Sequence, residues 1–224
     1  MYIRTRRQDQ PKSINIENKK FEEVKSFKDL GSTVNTDNTI EEEIKERIAL
    51  GNEAFFANKK TFQSTLISKL AKLKLYCSVI RPVVAYAWET WTLKETITNK
   101  LIVFERKILR KIFGPNNENG IWRMKTNQEL DTIIKHKKII NFITAQRLRW
   151  LGYIERMQET RVGNAIYSWK HILRRPIGKP KTRWEDDVRK DIQKSKVPNW
   201  KTLVLDRRGW TELVEKVKTL HKEL

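Results

Sequence analysis

The sequence of 224 residues is poor in the side chains that build disulfide frameworks and metal sites. It contains one cysteine, Cys77, and three histidines, at positions 136, 171 and 221, with no metal-ligand spacing among them. A disulfide framework is therefore excluded, and so are zinc fingers, knuckles and ribbons. Cys77 falls on the apolar stripe of a predicted helix, which is typical of a core residue and does not indicate a nucleophile.

Long apolar runs and signature glycines are also lacking. Runs such as residues 83–87 are far shorter than the roughly 20 residues that cross a bilayer. The N-terminus has no apolar stretch that could serve as a secretory signal. The eight glycines never fall at phosphate-loop or dinucleotide-binding spacing, and no serine stands in a nucleophile elbow. We expect an intracellular chain, nuclear or cytoplasmic, that is not secreted, has no membrane partner and lacks the common enzyme signatures.

Positive charge is abundant. Lys and Arg number 47 against 27 Asp and Glu, which gives a formal net charge of +20. Hydrophobic residues make up 38% of the chain and include eight Trp and eight Phe, so the chain should fold rather than remain a basic tail. Residues 1–45 carry nine cations and nine acids, and the excess therefore lies entirely in the later residues. A polyanion such as nucleic acid is the partner that this composition favours.

The hydrophobic periodicity predicts a mainly α-helical protein with four regions. Residues 1–38 have strand character and predict a short β hairpin. Residues 39–115 predict a helical bundle, residues 116–173 a further helical region, and residues 174–224 a basic linker followed by a small helical C-terminal unit.

Two helices are predicted in detail from their patterns. The first starts near Ser64 and has an apolar stripe formed by Leu66, Leu70, Leu73, Cys77, Ile80 and Val84. Pro82 should kink or end that helix. The second starts at the capping-box pattern Thr126-x-x-Glu129 and reads as one long helix as far as Ile154.

The tetrapeptide Trp184-Glu185-Asp186-Asp187 has the form aromatic-x-Asp-Asp, and paired carboxylates of this kind can bind the metals of a nucleotidyl-transfer site. The setting favours a structural role instead, because Thr182-x-x-Glu185 predicts a helix cap with acids in the first turn. Asp191 follows Asp187 by four residues, and we expect both on an exposed helix face of mixed charge.

Five sequence motifs occur in an order that characterises one protein family. They are FKDLGSTVNTD (27–37), LKLYCSVIRPVVAYAWETWTL (73–93), FERKILRKIFGP (104–115), AQRLRWLGYIERM (145–157) and GKPKTRWEDDVRKD (178–191). Together they resemble the C-terminal part of the reverse transcriptase encoded by non-LTR retrotransposons of the insect type. The resemblance covers nearly the whole chain.

The resemblance implies specific roles for parts of the chain. Leu30 and Gly31 match the primer-grip hairpin at the edge of the polymerase palm, although the family usually has Tyr where this sequence has Asp29. Residues 39–114 match the thumb, which closes over the template and primer. The catalytic aromatic-x-Asp-Asp turn and the fingers would lie upstream, so Met1 is expected to be an internal methionine of a longer element. On this interpretation Mg²⁺ belongs to the missing palm, no cofactor is expected in this chain, and a separate palm and fingers region is a potential partner.

We therefore expect the isolated chain to bind RNA, DNA or an RNA–DNA hybrid through phosphates, with little sequence preference and without polymerising. The cations predicted to contact phosphates are Lys69, Lys72, Lys74, Lys107, Arg110, Lys111, Arg147, Arg149, Lys179, Lys181 and Arg183. Two alternatives remain open: a vestigial remnant of an element without activity, and a host-adopted helical module that binds an acidic protein or a second copy of itself.

Overall fold

The computed structural model describes residues 13–36, 39–135, 137–169, 183–195 and 197–219. Its strands form three separate antiparallel hairpins. The strands are β1 Ser13–Ile16, β2 Lys19–Glu22, β3 Ser26–Asp29, β4 Ser32–Asn35, β5 Asn116–Glu118 and β6 Ile121–Arg123. The N-terminal β element thus consists of two hairpins, where the sequence predicted one.

Helices make up most of the described chain, as predicted. The helices are α1 Glu41–Ala57, α2 Lys59–Gln63, α3 Lys69–Leu75, α4 Arg81–Val84, α5 Glu95–Phe113, α6 Asn127–Ile134, α7 Ile139–Glu155, α8 Val162–Ser168, α9 Trp184–Lys194, α10 Trp200–Leu203 and α11 Arg207–Thr219. A π-helical turn, Tyr76–Ile80, joins α3 to α4, and a short 3₁₀ turn covers Trp88–Thr90. Within the described residues no helix is long and apolar enough to cross a membrane.

The predicted helix from Ser64 to Val84 begins later than its apolar stripe suggested. Leu66 is 96% exposed and precedes α3, whose first turn is capped by Ser68 through its hydroxyl and the Ala71 N–H. Leu70 is also more than half exposed. The prediction was wrong at this end because a local serine cap sets the start of the helix, while apolar spacing only sets which face would pack.

The backbone remains helical through Pro82. Proline has no N–H to continue the ordinary i to i−4 ladder. In the preceding π turn, the Arg81 N–H instead donates to the Tyr76 carbonyl, five residues back. Pro82 therefore lies in the first turn of α4, where a missing N–H costs little.

The predicted helix from Thr126 to Ile154 is interrupted. The capping box at its start is confirmed, with Thr126 and Glu129 exchanging side-chain and backbone hydrogen bonds. Helix α6 ends at Ile134, and Lys135 has a φ of +52°, which breaks the helical path. Helix α7 then starts at Ile139, whose backbone N–H donates to the Glu105 carboxylate at 2.9 Å. That cap comes from α5, 34 residues earlier, so no local pattern reveals it.

Two hydrophobic cores meet along α7. The first gathers side chains from α1 through the start of α7, including Ile44, Phe104 and Ile143. The second begins at Ala145 and packs α7 against α9 and α11. Helix α7 is therefore shared by both cores. Its N-terminal part packs in the first core, and its residues from Ala145 onward pack in the second.

Candidate nucleic-acid interface

The lysines that were predicted on α3 and α5 lie mostly at the surface. Lys69, Lys74 and Lys107 are exposed, and Lys72 is partly buried. None of these four makes an ion pair with another residue that the structure describes. Burial, followed by the positive charge of Lys69, lowers the pKa of Lys125 in the loop that follows β6. These lysines remain available to an external anion.

The two remaining cations of α5 already have partners. Arg110 donates from Nε to the Lys125 carbonyl at 3.0 Å and from Nη2 to Asn127 Oδ1 at 2.7 Å. Its fork thus anchors the β6–α6 loop. Lys111 is exposed, and its ammonium lies 4.8 Å from the ring centroid of Phe56, within the range of a cation–π contact.

Arg147 does not belong to this surface. Its side chain is fully buried and lies 2.7 Å from Asp187 Oδ2 and 2.9 Å from Asp191 Oδ2 on α9. Only the contact with Asp187 has hydrogen-bond geometry. Burying a charge is costly unless an opposite charge compensates it. We therefore correct the prediction: with no exposed surface, Arg147 cannot reach a phosphate in this structure.

Two residues of the acidic tetrapeptide on α9, Trp184 and Asp187, make structural contacts inside the fold. Asp187 Oδ2 also accepts the Leu93 backbone N–H at 2.7 Å, and Trp184 Nε1 donates to the Glu89 carbonyl at 2.7 Å. Asp187 and Asp191 side chains are each 14% exposed, so the expectation of an exposed helix face was wrong for these two. Burial raises the pKa of Asp191 to about 6, although Arg147 acts in the opposite direction. We call Arg147, Asp187 and Asp191 the buried ion cluster.

The last predicted cations are spread over different environments. Arg149 is exposed and forms an ion pair with Glu215 on α11 at 2.5 Å. Arg183 is partly buried at the N-cap of α9. Lys179 and Lys181 lie outside the described residues. Among the described members of the predicted set, Arg147 therefore takes no part in a shared surface.

A groove that no sequence pattern indicated gathers cations from three distant segments. Its volume is 410 Å³, and its lining includes Lys74, Arg81, Lys137 and Lys218, with Glu215 as the single acidic group. We call these four cations and their cleft the basic groove. Arg81 donates to the Lys137 carbonyl at 3.2 Å and lies 4.2 Å above the Phe142 ring. Of its cations only Lys74 was predicted, because the tertiary fold alone brings residues 74, 137 and 218 together.

A buried carboxyl group, Glu105, connects two elements that contribute residues to the groove lining, the π turn and α7. Glu105 Oε1 accepts from the Tyr76 hydroxyl at 2.8 Å and from the Ile139 N–H. Burial raises the pKa of Glu105 to about 7, and the two hydrogen bonds offset only part of that shift. Burial, reinforced by the nearby Glu105 charge, raises the pKa of Tyr76 well above its ordinary value. Glu105 thus links α5, the π turn and α7.

Leu30 and Gly31 form the two-residue turn of the β3–β4 hairpin, with φ angles of +47° and +81°. Leucine at positive φ is strained, whereas glycine adopts this conformation readily. The turn is held from behind: the Tyr86 hydroxyl donates to the Leu30 carbonyl at 2.7 Å, and Arg47 donates to the Gly31 carbonyl. Arg47 itself pairs with buried Glu43. The Leu30 side chain consequently points outward and is 86% exposed.

Metal-ligating groups do not converge in the described part of the chain. Among the residues that the structure describes, no three or more His, Cys, Asp or Glu side chains are placed to hold a metal ion. Asp187 and Asp191, two carboxylates one turn apart on α9, are directed at Arg147.

The chain is similar to a transposon-derived protein of Caenorhabditis elegans. The two are 22% identical over 205 residues, which cover 89% of this chain and 73% of that protein. No family model matches the chain, and no solved structure matches it. The similarity indicates a transposable-element origin.

Proposed function

We propose that this chain binds nucleic acid through phosphate contacts, and that it corresponds to the thumb-like and C-terminal part of a non-LTR reverse transcriptase of the insect type. The observation that supports binding is the basic groove, where four cations face one carboxylate. Lys74 and Lys137 make no ion pair within the described chain, so their charges are not neutralised internally. When lysine side chains contact phosphates, they displace the counterions condensed on the nucleic acid. The release of these counterions favours association.

The proposed origin rests on two independent observations. The five ordered motifs resemble the reverse transcriptase family, and the C. elegans relative is described as transposon-derived. Genomic sequence upstream of the first codon tests the finer assignment. An open frame encoding an aromatic-x-Asp-Asp turn between apolar strands supports it, and an upstream frame of unrelated character contradicts it.

Binding can be tested by fluorescence anisotropy with labelled DNA duplex, RNA duplex and RNA–DNA hybrid at increasing salt. Each phosphate contact contributes about −0.9 to the log–log salt slope for B-form DNA. The triple variant Lys74→Gln, Lys137→Gln, Lys218→Gln should weaken binding and make the DNA slope shallower by roughly 2 to 3 units. The three ligands show whether either helical form is preferred.

A matched triple variant controls for net charge. Lys45, Lys190 and Lys201 are exposed lysines outside the basic groove. Changing all three to Gln removes the same charge and should alter the slope much less. Equal effects of the two triple variants, or a salt-independent affinity of the wild-type chain, would contradict binding in the groove.

The chain is proposed to bind without polymerising. In α9, Asp187 is engaged by Arg147 and by the Leu93 N–H, so it is not presented to a metal ion. Primer extension with nucleotides and Mg²⁺ should yield no product. Synthesis that disappears in the double variant Asp186→Asn, Asp187→Asn would overturn this part of the proposal.

A second candidate function, protein interaction, is favoured by the N-terminal hairpins. Six apolar side chains of the two N-terminal hairpins and the loop between them are at least half exposed: Ile14, Ile16, Phe21, Val24, Phe27 and Leu30. Exposed apolar groups of this kind are typical of surfaces that contact another protein. Light scattering over a range of concentrations distinguishes the two functions, since a rising mass with weak nucleic-acid binding favours the interaction module.

A further inference from the structure

The outer face of α7 carries an aromatic pair whose rings lie at the surface. Trp150 and Tyr153 are 37% and 53% exposed, and their ring centroids are 5.4 Å apart with an interplanar angle of 26°. The two residues are three positions apart, so they lie on one helix face with Gln146 and Arg149. Both aromatic side chains are therefore held in a stacked arrangement without being enclosed by a core.

A second cleft of 280 Å³ is built around this pair. Its lining consists of Trp150, Tyr153, Gln146 and Arg149 from α7 and Glu89 from the 3₁₀ turn. We call it the aromatic pocket. Its volume lies just below the range of about 300–1,000 Å³ that encloses drug-sized ligands, which suits a single planar group.

The charge of this pocket differs from that of the basic groove. The aromatic pocket contains one cation and one carboxylate, whereas the groove contains four cations and one carboxylate. Phosphate is consequently drawn to the groove and not to the pocket. The pocket instead offers aromatic faces, flanked by Gln146 and Glu89, and aromatic faces are the groups on which nucleobases stack.

The two clefts are adjacent. Glu215 lines the basic groove and forms an ion pair with Arg149, which lines the aromatic pocket, at 2.5 Å. Lys218 of the groove also contacts Glu215, at 2.7 Å. A strand that leaves the groove past this ion pair therefore arrives directly at Trp150 and Tyr153.

We propose that the aromatic pocket stacks an unpaired base of a single-stranded nucleic acid whose phosphates follow the basic groove. This inference rests on the proposed function and adds to it a preference for unpaired strand at one defined place. Stacking on aromatic side chains tolerates any base because every base has a π face. The same surface therefore recognises single strands without reading their sequence.

Three labelled ligands test the proposal: a single strand, the same backbone with abasic sites, and a duplex. Trp150→Ala should weaken binding of the base-bearing single strand by about tenfold. It should leave the abasic strand and the duplex unchanged, because neither offers an unpaired base. The triple variant of the groove lysines should weaken all three ligands, which separates phosphate contacts from base contacts.

Two further variants distinguish stacking from a structural role. Trp150→Phe retains a stacking face and should restore most of the affinity, while reducing the quenching of tryptophan fluorescence on binding. Trp122 is 68% exposed on β6, outside the pocket. Trp122→Ala is therefore the matched control and should not alter affinity. RNA and DNA versions of the single strand establish which sugar is preferred.

Several results would overturn the inference. If Trp150→Ala weakens binding of the abasic and base-bearing strands equally, or weakens neither, the proposal that a base stacks in the pocket is contradicted. A change in solution mass with unaltered affinity would assign the pocket to contact between copies of the chain. A wild-type chain that binds none of the ligands at low salt would instead contradict the proposed function itself.

Discussion

The basic groove and the buried ion cluster use positive charge in opposite ways. In the groove, cations from three segments line an open cleft with one acidic group. In the cluster, Arg147 is enclosed and lies against two carboxylates of α9. Within the described residues, Lys74 and Lys137 of the groove make no ion pair and are left for an external partner, whereas the charge of Arg147 is compensated inside the fold.

Arg147 and Arg149 show how this difference arises within one motif. They are two residues apart on α7, yet the Arg147 side chain is 0% exposed and that of Arg149 is 46% exposed. Residues two apart on a helix point to different faces. The phase of α7 against α9 and α11 therefore decides which arginine supports the fold and which meets the solvent.

The largest effect is expected from removing the buried cation. Arg147→Ala removes the cation that faces Asp187 and Asp191, each only 14% exposed, and should lower the free energy of unfolding by about 3–5 kcal/mol. Urea denaturation followed by circular dichroism measures this change. Arg149→Ala is the control and should cost about 1 kcal/mol or less, because exposed ion pairs contribute little.

A triple variant sharpens the same comparison. Arg147→Met combined with Asp187→Asn and Asp191→Asn removes the buried charges together and should recover most of the stability lost in Arg147→Ala. The Asn that replaces Asp187 retains an oxygen able to accept the Leu93 N–H. If Arg147→Ala is as stable as Arg149→Ala, the distinction between the two arginines fails.

The next effect concerns the buried acid Glu105. The pKa of Glu105 is raised to about 7, so the folded state holds its proton more tightly than the unfolded chain. Its contribution to stability is thus complete below pH 4.5 and is lost as the pH rises to about 7. Glu105→Gln keeps an oxygen for Tyr76 and Ile139 and should remove this loss, worth about 1.4 kcal/mol per pKa unit.

Thermal or urea unfolding from pH 4 to pH 8 tests this prediction. The raised pKa of Asp191 acts in the same direction but only up to about pH 6, so the interval from pH 6 to pH 7 separates the two carboxyls. Glu53→Gln, an exposed change on α1, is the control. If the unfolding free energies of Glu105→Gln and the wild type change in parallel with pH, ionisation of Glu105 is not the cause of the loss.

A smaller loss is expected where α11 packs on α7 beside the buried ion cluster. A Cβ at Gly152 would lie 2.2 Å from Trp210 Nε1, and that indole nitrogen donates to the Leu148 carbonyl at 2.9 Å. Gly152→Ala should therefore destabilise the protein by about 1–3 kcal/mol through overpacking.

Gly163→Ala provides the matched glycine control for unfolding measurements. The nearest atoms to its added Cβ belong to the flexible Met157 side chain, at 3.2 Å and beyond. The change should stay within about 1 kcal/mol. Similar losses at positions 152 and 163 would show that the close approach of Trp210 is not limiting.

The smallest effect is expected in the basic groove. The triple variant Lys74→Gln, Lys137→Gln, Lys218→Gln should change unfolding free energy by about 1 kcal/mol or less, because surface substitutions seldom matter for stability. Its effect on nucleic-acid affinity should be large by comparison. A marked loss of stability would break the comparison, since the groove would then be part of the structural framework.

Much of the fold was accessible from local sequence patterns. The change from strand to helix character near residue 39, the Thr126–Glu129 capping box and the acidic first turn of α9 all depend on neighbours within one turn. The break at Lys135 was missed because the cap that starts α7 comes from Glu105. Leu66 was misplaced because the apolar spacing extends to residues before Ser68, the N-cap at which the helix begins.

The candidate site was only partly predictable. Lys74 was expected at the interface, but Arg81, Lys137 and Lys218 were not, because their convergence has no sequence signal. Arg147 was assigned to phosphate on composition alone, and the structure shows it enclosed by the second core. Positive charge alone therefore did not place Arg147 at the surface. Two acids one turn apart on α9, Asp187 and Asp191, compensate its charge in the interior.

The sequence by itself determined the charge of +20, the predominance of helices and the resemblance to a mobile-element protein. These properties follow from composition, periodicity and motif order, none of which needs long-range contacts. Only the tertiary structure decided which cations face outward and which are buried, and that Lys74, Arg81, Lys137 and Lys218 share one groove. The physical reason is that the burial of a cation, and its distance from other cations, depend on how distant segments pack. A buried cation such as Arg147 then needs opposite charges beside it, because an unpaired buried charge is costly.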